Sequence, residues 1–121
     1  MLKAIYDERL GIIKSTSNGA TPPEELERYV EQLRSLRQQQ RARHGRFLHL
    51  VDANDSALQT KWATDRLNIY TSEDGDMLPG DKTAVVLSST LLKMQAARLA
   101  SHVQFATFTD MNDAIAWLSA P

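Results

Sequence analysis

The first half of the chain opens with two short apolar runs separated by charged residues and continues into a long stretch with helical periodicity. Residues 2–6 and 10–14 flank the polar Asp7-Glu8-Arg9 and predict an antiparallel hairpin. The polar segment 15–19 is predicted to end that hairpin. A long helix should follow from an N-cap at Thr21 to about Arg43, because the apolar positions recur on one stripe, namely Leu26, Tyr29, Val30, Leu33 and Leu36.

The rest of the chain alternates three predicted strands with three predicted helices. The strands have nearly continuous apolar character, as parallel strands covered on both faces do, and span residues 46–51, 83–87 and 103–108. The helices are predicted over 57–70, over a stretch near 91–99, and over a closing stripe of Met111, Ala114, Ile115 and Leu118. Trp117 lies beside that stripe and is expected to pack inward or against the edge of the core.

The element order predicts an α/β fold with a mostly parallel five-stranded sheet, an antiparallel edge strand and about four helices. The segment 71–82 is acidic and interrupted by Gly75, Pro79 and Gly80, and is therefore predicted to be a loop, with 71–81 the most mobile internal part. At 121 residues the chain is expected to be a single domain, 1–121.

Composition narrows the function classes. Fourteen Lys and Arg oppose fifteen Asp and Glu, so the formal net charge is -1 and nothing in the overall balance attracts nucleic acid. Cysteine is absent, which excludes disulfides, thiolate nucleophiles and sulfur-ligated zinc and fits a reducing cytoplasm. Neither a signal peptide nor an apolar run long enough to span a bilayer is visible, so a cytoplasmic protein is expected.

Several stretches resemble one known family. "TPPEELERYVEQL", "FLHLVDAND" and "DKTAVVLSSTLLKMQAARLA" are similar to SpoIIAA-like or STAS-like proteins, the fold of anti-sigma factor antagonists and of the cytoplasmic domain of sulfate transporters. The close "VQFATFTDMNDAIAWL" resembles the end of the small bacterial branch, in Phe108, Asp110, Ala114, Ala116, Trp117 and Leu118. The resemblance spans nearly the whole chain. It implies the fold and a non-enzymatic regulatory or protein-interaction module.

The resemblance does not extend to the phosphorylation motif of the antagonists. They accept phosphate on the second serine of Asp-Ser-Ser-Gly, where this chain has Asp55-Ser56-Ala57-Leu58. The acceptor position is alanine and the glycine is replaced, so a conventional phospho-switch is not expected. Ser56 is instead predicted to be mainly an N-cap that follows a turn at residues 53–55.

Polar residues follow the predicted parallel strands, where ligands of open α/β sheets bind. The candidate ligand-binding or partner-binding residues are Asp52, Asp55, Ser56, Ser88, Ser89 and Thr90, with Thr109-Asp110 at the same edge. They indicate either an anion-binding crevice or, as the N-cap preferences favour, simple caps of their own helices. A second hypothesis is a small-molecule or lipid-binding crevice under the loop, with walls formed by Trp62, Ile69, Met77 and Leu78.

No catalytic, metal or cofactor site is predicted. The three histidines have no metal-binding spacing, and His49 lies in an apolar strand, where a hydrogen-bonded core histidine is the favoured interpretation. No serine lies in a nucleophile elbow. Five arginines, Arg34, Arg37, Arg41, Arg43 and Arg46, crowd the end of the long helix, and they either solvate that helix end or form a basic patch.

The expected partner is therefore another protein, or else a small apolar or anionic ligand. No nucleic acid, no membrane span and no cofactor are expected, and a homodimer stays open.

Overall fold

Five strands form one sheet in the order β1-β2-β3-β4-β5. The computed structural model describes residues 2–19, 21–56, 81–87, 94 and 105–120. The strands are β1 Leu2–Asp7, β2 Ile12–Gly19, β3 Leu48–Ser56, β4 Lys82–Val86 and β5 Phe105–Phe108. β1 is antiparallel to β2, and every other neighbouring pair is parallel, which confirms the predicted mostly parallel sheet with an antiparallel edge strand.

Two helices are seen in the described part of the chain, α1 over Pro23–His44 and α2 over Met111–Ser119. The predicted helix over 57–70 and the predicted loop over 71–80 lie outside the described residues. So does all but Met94 of the helix predicted near 91–99, and the mobility predicted for the loop therefore stays a prediction.

The predicted break at residues 15–19 is wrong, because β2 continues through Gly19. Ser15 and Ser17 are buried side chains that alternate with half-buried Lys14 and Thr16. This polar segment therefore has the ordinary alternation of a strand, with small side chains on the buried face. β2 pairs with β1 on one side and with β3 on the other, and its backbone hydrogen bonds hold it extended whatever its side chains are.

The turn predicted at residues 53–55 is also wrong. β3 runs on through Ser56 because the longer β2 gives it a partner, with Asn18 opposite Asp55 and Gly19 opposite Ser56. The register shifts between Thr16 and Asn18, so an irregularity in β2 accommodates the last pairs. The residues directly after Ser56 lie outside the described part of the chain, and its role as an N-cap remains a prediction.

Helix α1 begins one residue later than predicted. Its N-cap is Pro22 rather than Thr21, and no side chain caps the first turn. Pro23 takes the first helical position, where a missing N–H has no cost, and Thr21 Oγ1 is buried with no hydrogen-bond partner in the described part of the chain. The helix ends at Gly45, whose φ of 72° is left-handed and whose N–H donates to the carbonyl of Arg41 at 2.9 Å.

The two helices cover different parts of the sheet. α1 lies on one face, where its predicted stripe packs with Ala4, Ile13 and Phe47. α2 lies on the other face, where Ala114 and Leu118 pack against residues of β2, β3 and β4. Trp117 is half-buried at the edge of that cluster, 5.8 Å between ring centroids from Phe108, which confirms the predicted position.

The amino edge of the parallel strands is fixed by buried polar side chains. The predicted loop 71–82 is too long at its end, because Lys82 belongs to β4 and pairs with Leu48. Lys82 Nζ donates to the carbonyls of Trp117 at 3.0 Å and Ala120 at 2.8 Å, and so closes the carboxyl end of α2.

Asp81 is a second buried polar residue at this edge, and its two carboxylate oxygens have different partners. Oδ1 accepts the N–H of Phe47 at 2.7 Å, and Oδ2 forms an ion pair with Arg41 Nη2 at 2.5 Å. The Asp81 side chain has no exposure, whereas the Arg41 side chain is 20% exposed. One carboxylate thus joins the end of α1, the start of β3 and the start of β4.

We predict that Asp81→Ala lowers the free energy of unfolding by about 3 kcal/mol, because it leaves the buried N–H of Phe47 and the Arg41 guanidinium without their acceptor. The control is Asp113→Ala, which removes an acid from the exposed first turn of α2 and should cost less than about 1 kcal/mol. Urea denaturation measures both. Equal losses in the two variants would contradict the structural role of Asp81.

Candidate functional site

The carboxyl edge of the sheet holds two of the predicted site residues in local contacts. Asp52 Oδ1 accepts from the N–H and the side-chain amide of Asn54, at 3.2 and 3.1 Å. Asp110 Oδ1 accepts from the N–H groups of Asn112 at 2.7 Å and Asp113 at 3.3 Å, and so caps α2 as the simpler interpretation expects.

The remaining predicted site residues are not brought together by the described part of the structure. The backbone of Asp55 and Ser56 lies in β3, and nothing is described of their side chains. Ser88, Ser89 and Thr90 lie outside the described residues, as do the pocket-wall candidates Trp62, Ile69, Met77 and Leu78. The predicted crevice at this edge therefore stays a prediction.

A buried polar network lies between the sheet and α1. Tyr29 OH donates to Ser15 Oγ at 2.9 Å, and Ser15 Oγ lies 2.7 Å from His49 Nε2. Ser15 Oγ keeps a second lone pair and its own proton after accepting from Tyr29, so the tautomer of the neutral His49 ring sets which of the two atoms donates. His49 is 5% exposed, which confirms the predicted core histidine.

Burial lowers the pKa of His49 from 6.5 to about 3, and the nearby positive charge of Arg37 acts in the same direction. The pair of Ser15 and His49 has the contact of a nucleophile with its base, but Ser15 has no exposed surface. Its chemistry in this structure is therefore that of a satisfied core hydroxyl. Ser15 was not among the residues singled out from the sequence. The alternation of Ser15 and Ser17 with larger polar side chains was the pattern that could have indicated its burial.

A cleft of about 440 Å³ lies at the opposite edge, at the amino ends of the parallel strands. It is bordered by the β1–β2 turn, the end of α1, the start of β3 and the end of α2, through Leu10, Gly11, Gln40, His44, Arg46, Leu48 and Ser119. Gln40 fixes its floor, since Nε2 donates to the carbonyl of Gly11 at 2.8 Å and Oε1 accepts the N–H of Leu48 at 2.9 Å.

The five arginines near the end of α1 have different surroundings. Arg34 pairs with Glu31 at 2.8 Å and Arg41 pairs with Asp81, while Arg37 is buried with its guanidinium 5.7 Å from the centroid of the Phe47 ring. Arg43 is exposed and Arg46 is half-buried at the cleft. The five arginines therefore do not form a uniform solvent-exposed patch.

On the sheet face that α2 occupies, Ile12 of β2 is buried in the α2 cluster, but the exposure rises toward β1. In the register of the sheet, Ile5, Lys14 and Leu50 lie side by side in one row, and Lys3, Thr16 and Asp52 in the next. Leu50 is fully buried by α2, whereas Ile5 is 51% exposed and Lys3 is exposed beside it. Ile5 and Met94 are the exposed large apolar side chains in the described ranges.

Over the residues that the structure describes, neither helix has the length and apolar character to cross a membrane. The same ranges contain no group of three or more His, Cys, Asp or Glu residues placed to hold a metal ion.

Comparison with known proteins identifies the fold. The chain is similar to the crystal structure of an uncharacterized protein from the DUF3478 family with a SpoIIAA-like fold from Shewanella loihica PV-4, with a TM-score of 0.70 and 17% sequence identity. The match covers 98% of this chain and 92% of that one. No protein-family model matches the chain, and no curated protein matches it. The fold is thus SpoIIAA-like, as the sequence resemblance implies.

We predict that His49 makes the fold sensitive to acid. The pKa of His49 is 6.5 in the unfolded chain and about 3 in the folded protein. The unfolded state therefore binds a proton first as the pH falls, and the free energy of unfolding decreases from pH 6.5 down to about pH 3. Between pH 7 and pH 5 the loss from this residue should be about 2 kcal/mol.

Urea denaturation of the wild type, of His49→Gln and of His44→Gln at both pH values tests this. His49→Gln should lose that part of the pH dependence, whereas the exposed His44→Gln should retain it. The assignment is wrong if the wild type and His49→Gln show the same change between pH 7 and pH 5.

Proposed function

We propose that this chain is a non-enzymatic SpoIIAA-like module that binds a protein partner through the surface formed by Lys3, Ile5 and Lys14 on β1 and β2. The observation that carries the proposal is the 51% exposure of Ile5 in the middle of a strand, on the face that α2 covers elsewhere. Ile5 has Lys3 and Lys14 as neighbours on this face, and an apolar centre within a charged rim is the composition of a protein interface.

The chemistry of the partner follows from the neighbours of Ile5. Lys14 lies beside it on β2, and Lys3 precedes it by two positions on the same face. Asp7 follows Ile5 by two positions on the same face of β1, but its Oδ1 already accepts the N–H groups of Arg9 and Leu10 at 3.0 and 3.1 Å. The complementary surface is therefore an apolar side chain flanked by acidic groups.

The partner is expected to dock on the face of β1 rather than to add a strand to its edge. The outward N–H of Leu2 donates to Glu25 Oε1 at 2.9 Å, and that of Ala4 donates to Gln32 Oε1 at 3.4 Å. Side chains of α1 thus occupy two of the backbone donors that an added strand would need.

The small-molecule or lipid crevice at the carboxyl edge is the alternative, and its wall residues lie outside the described part of the chain. The exposed Ile5 favours the partner class. The absence of cysteine supports a reducing compartment, and we place the interaction in the cytoplasm.

Photo-crosslinking tests the proposal. The full chain, carrying p-benzoylphenylalanine in place of Ile5, is expressed in its native host, with the same residue in place of exposed Arg28 as the control. We expect one covalent adduct of defined mass from position 5 and none from position 28. The double variant Lys3→Glu, Lys14→Glu should reduce the adduct about tenfold, the effect of removing complementary rim charges.

Three outcomes would overturn this function: no adduct at position 5, the same adducts at both positions, or an adduct that survives the charge reversal unchanged. An adduct between two copies of this chain would assign the face to a homodimer instead. Thermal unfolding of each variant checks that the fold is retained, and an Ile5→Ser substitution should change stability by less than about 1 kcal/mol because the side chain is half exposed.

A further inference from the structure

The cleft at the amino edge combines two basic side chains, Arg46 and His44, with the apolar Leu10 and Leu48. We propose that it binds a small organic anion, with the charged group held by Arg46 and His44 and the apolar part against Leu10 and Leu48. Its volume of about 440 Å³ is in the range of small-molecule sites. The proposal does not depend on the proposed function, because Lys3, Ile5 and Lys14 are not among the lining residues of the cleft.

Arg46 supplies the charge that points to an anion. Its side chain is half-buried at the cleft, and its guanidinium forms no ion pair with any residue in the described ranges, whereas Arg34 and Arg41 each have a carboxylate partner. None of the described lining residues is acidic. A partly desolvated guanidinium gains most from a carboxylate or phosphate that it can bind through two parallel hydrogen bonds.

The helix dipoles act against an anion here, and side-chain charges offset them. Both α1 and α2 end at this edge, and a helix carboxyl end carries roughly half a negative charge. At α2, Lys82 Nζ already donates to the terminal carbonyls of Trp117 and Ala120. At α1, the N–H of Gly45 donates to the carbonyl of Arg41. Within the described ranges Arg46 pairs with neither helix end, so its charge is available to a ligand.

The walls of the cleft favour an organic ion over an inorganic one. Leu10 and Leu48 form its apolar side, and both ends of the Gln40 amide are engaged, with Gly11 and Leu48, so the floor offers a ligand little further polar contact. His44 Nε2 lies 3.3 Å from Tyr6 OH, which orients the imidazole at the mouth of the cleft. The matching ligand has one anionic group and a compact apolar body.

Titration of the labelled full chain with sodium benzoate, followed by amide NMR shifts, tests the site. We expect saturable shifts at Gly11, His44, Arg46, Leu48 and Ser119, and much weaker effects from benzylamine and from inorganic phosphate. Arg46→Gln should weaken benzoate binding about tenfold or more, the scale of a lost charge-assisted hydrogen bond. Arg43→Gln removes the same charge from an exposed position outside the cleft and should weaken binding less than about twofold.

Shifts that do not saturate, or that map away from the cleft, would overturn the proposal. Equal weakening by Arg43→Gln and Arg46→Gln would reduce the effect to general surface charge. Binding of inorganic phosphate as tight as that of benzoate would exclude an organic ligand, and binding of benzylamine as tight would exclude an anion site. Should Arg46→Gln fail to fold, Arg46→Lys keeps the charge without the planar fork and should still weaken binding measurably.

Discussion

One hydroxyl with no exposure, Ser15 Oγ, joins three elements of the fold. It accepts from Tyr29 of α1 and shares a hydrogen bond with His49 Nε2 of β3, while its backbone belongs to β2, the strand that separates the antiparallel edge from the parallel sheet. Hydrogen bonds of this kind each contribute only about 1 kcal/mol, but leaving one buried group without its partner costs more than the bond is worth. The network therefore fixes how α1 and the two strands align.

The polar side chains at the two edges of the sheet have different hydrogen-bond partners. At the carboxyl edge, Asp52 and Asp110 satisfy nearby backbone groups, as polar residues after strands commonly do. At the amino edge, Asp81, Lys82 and Gln40 satisfy backbone groups that belong to other elements. Arg46 lies at the same edge, beside the cleft, and has no ion-pair partner in the described ranges.

The helix stripe could be predicted from local periodicity, and the mostly parallel sheet from the alternation of strands and helices along the chain. The stripe of Leu26, Tyr29 and Val30 is buried as its spacing predicts, and the sheet is parallel except at its antiparallel edge strand β1, as predicted. Ser15 could not be placed in the same way, because its two partners are 14 and 34 positions away. A buried serine and a loop serine look alike until those partners are known. The cleft escaped sequence analysis for a related reason, since its lining comes from four separate elements and none of them carries a motif.

The surface around Ile5 is different, because the alternation of β1 does predict which residues share a face. The alternation cannot predict which side chains stay exposed, since that depends on where α2 docks, against β3, β4 and β5 and the buried Ile12 of β2. Helix α2 has nine residues and a buried stripe of two, Ala114 and Leu118, so it covers only part of a five-stranded sheet. On the opposite face α1, with 22 residues, packs against β1. Among the described elements, α1 thus covers one face of β1 and bonds two of its edge donors, while Ile5 is exposed on the other face. The proposed docking surface is therefore on the side of Ile5, on a strand that α1 already holds in place.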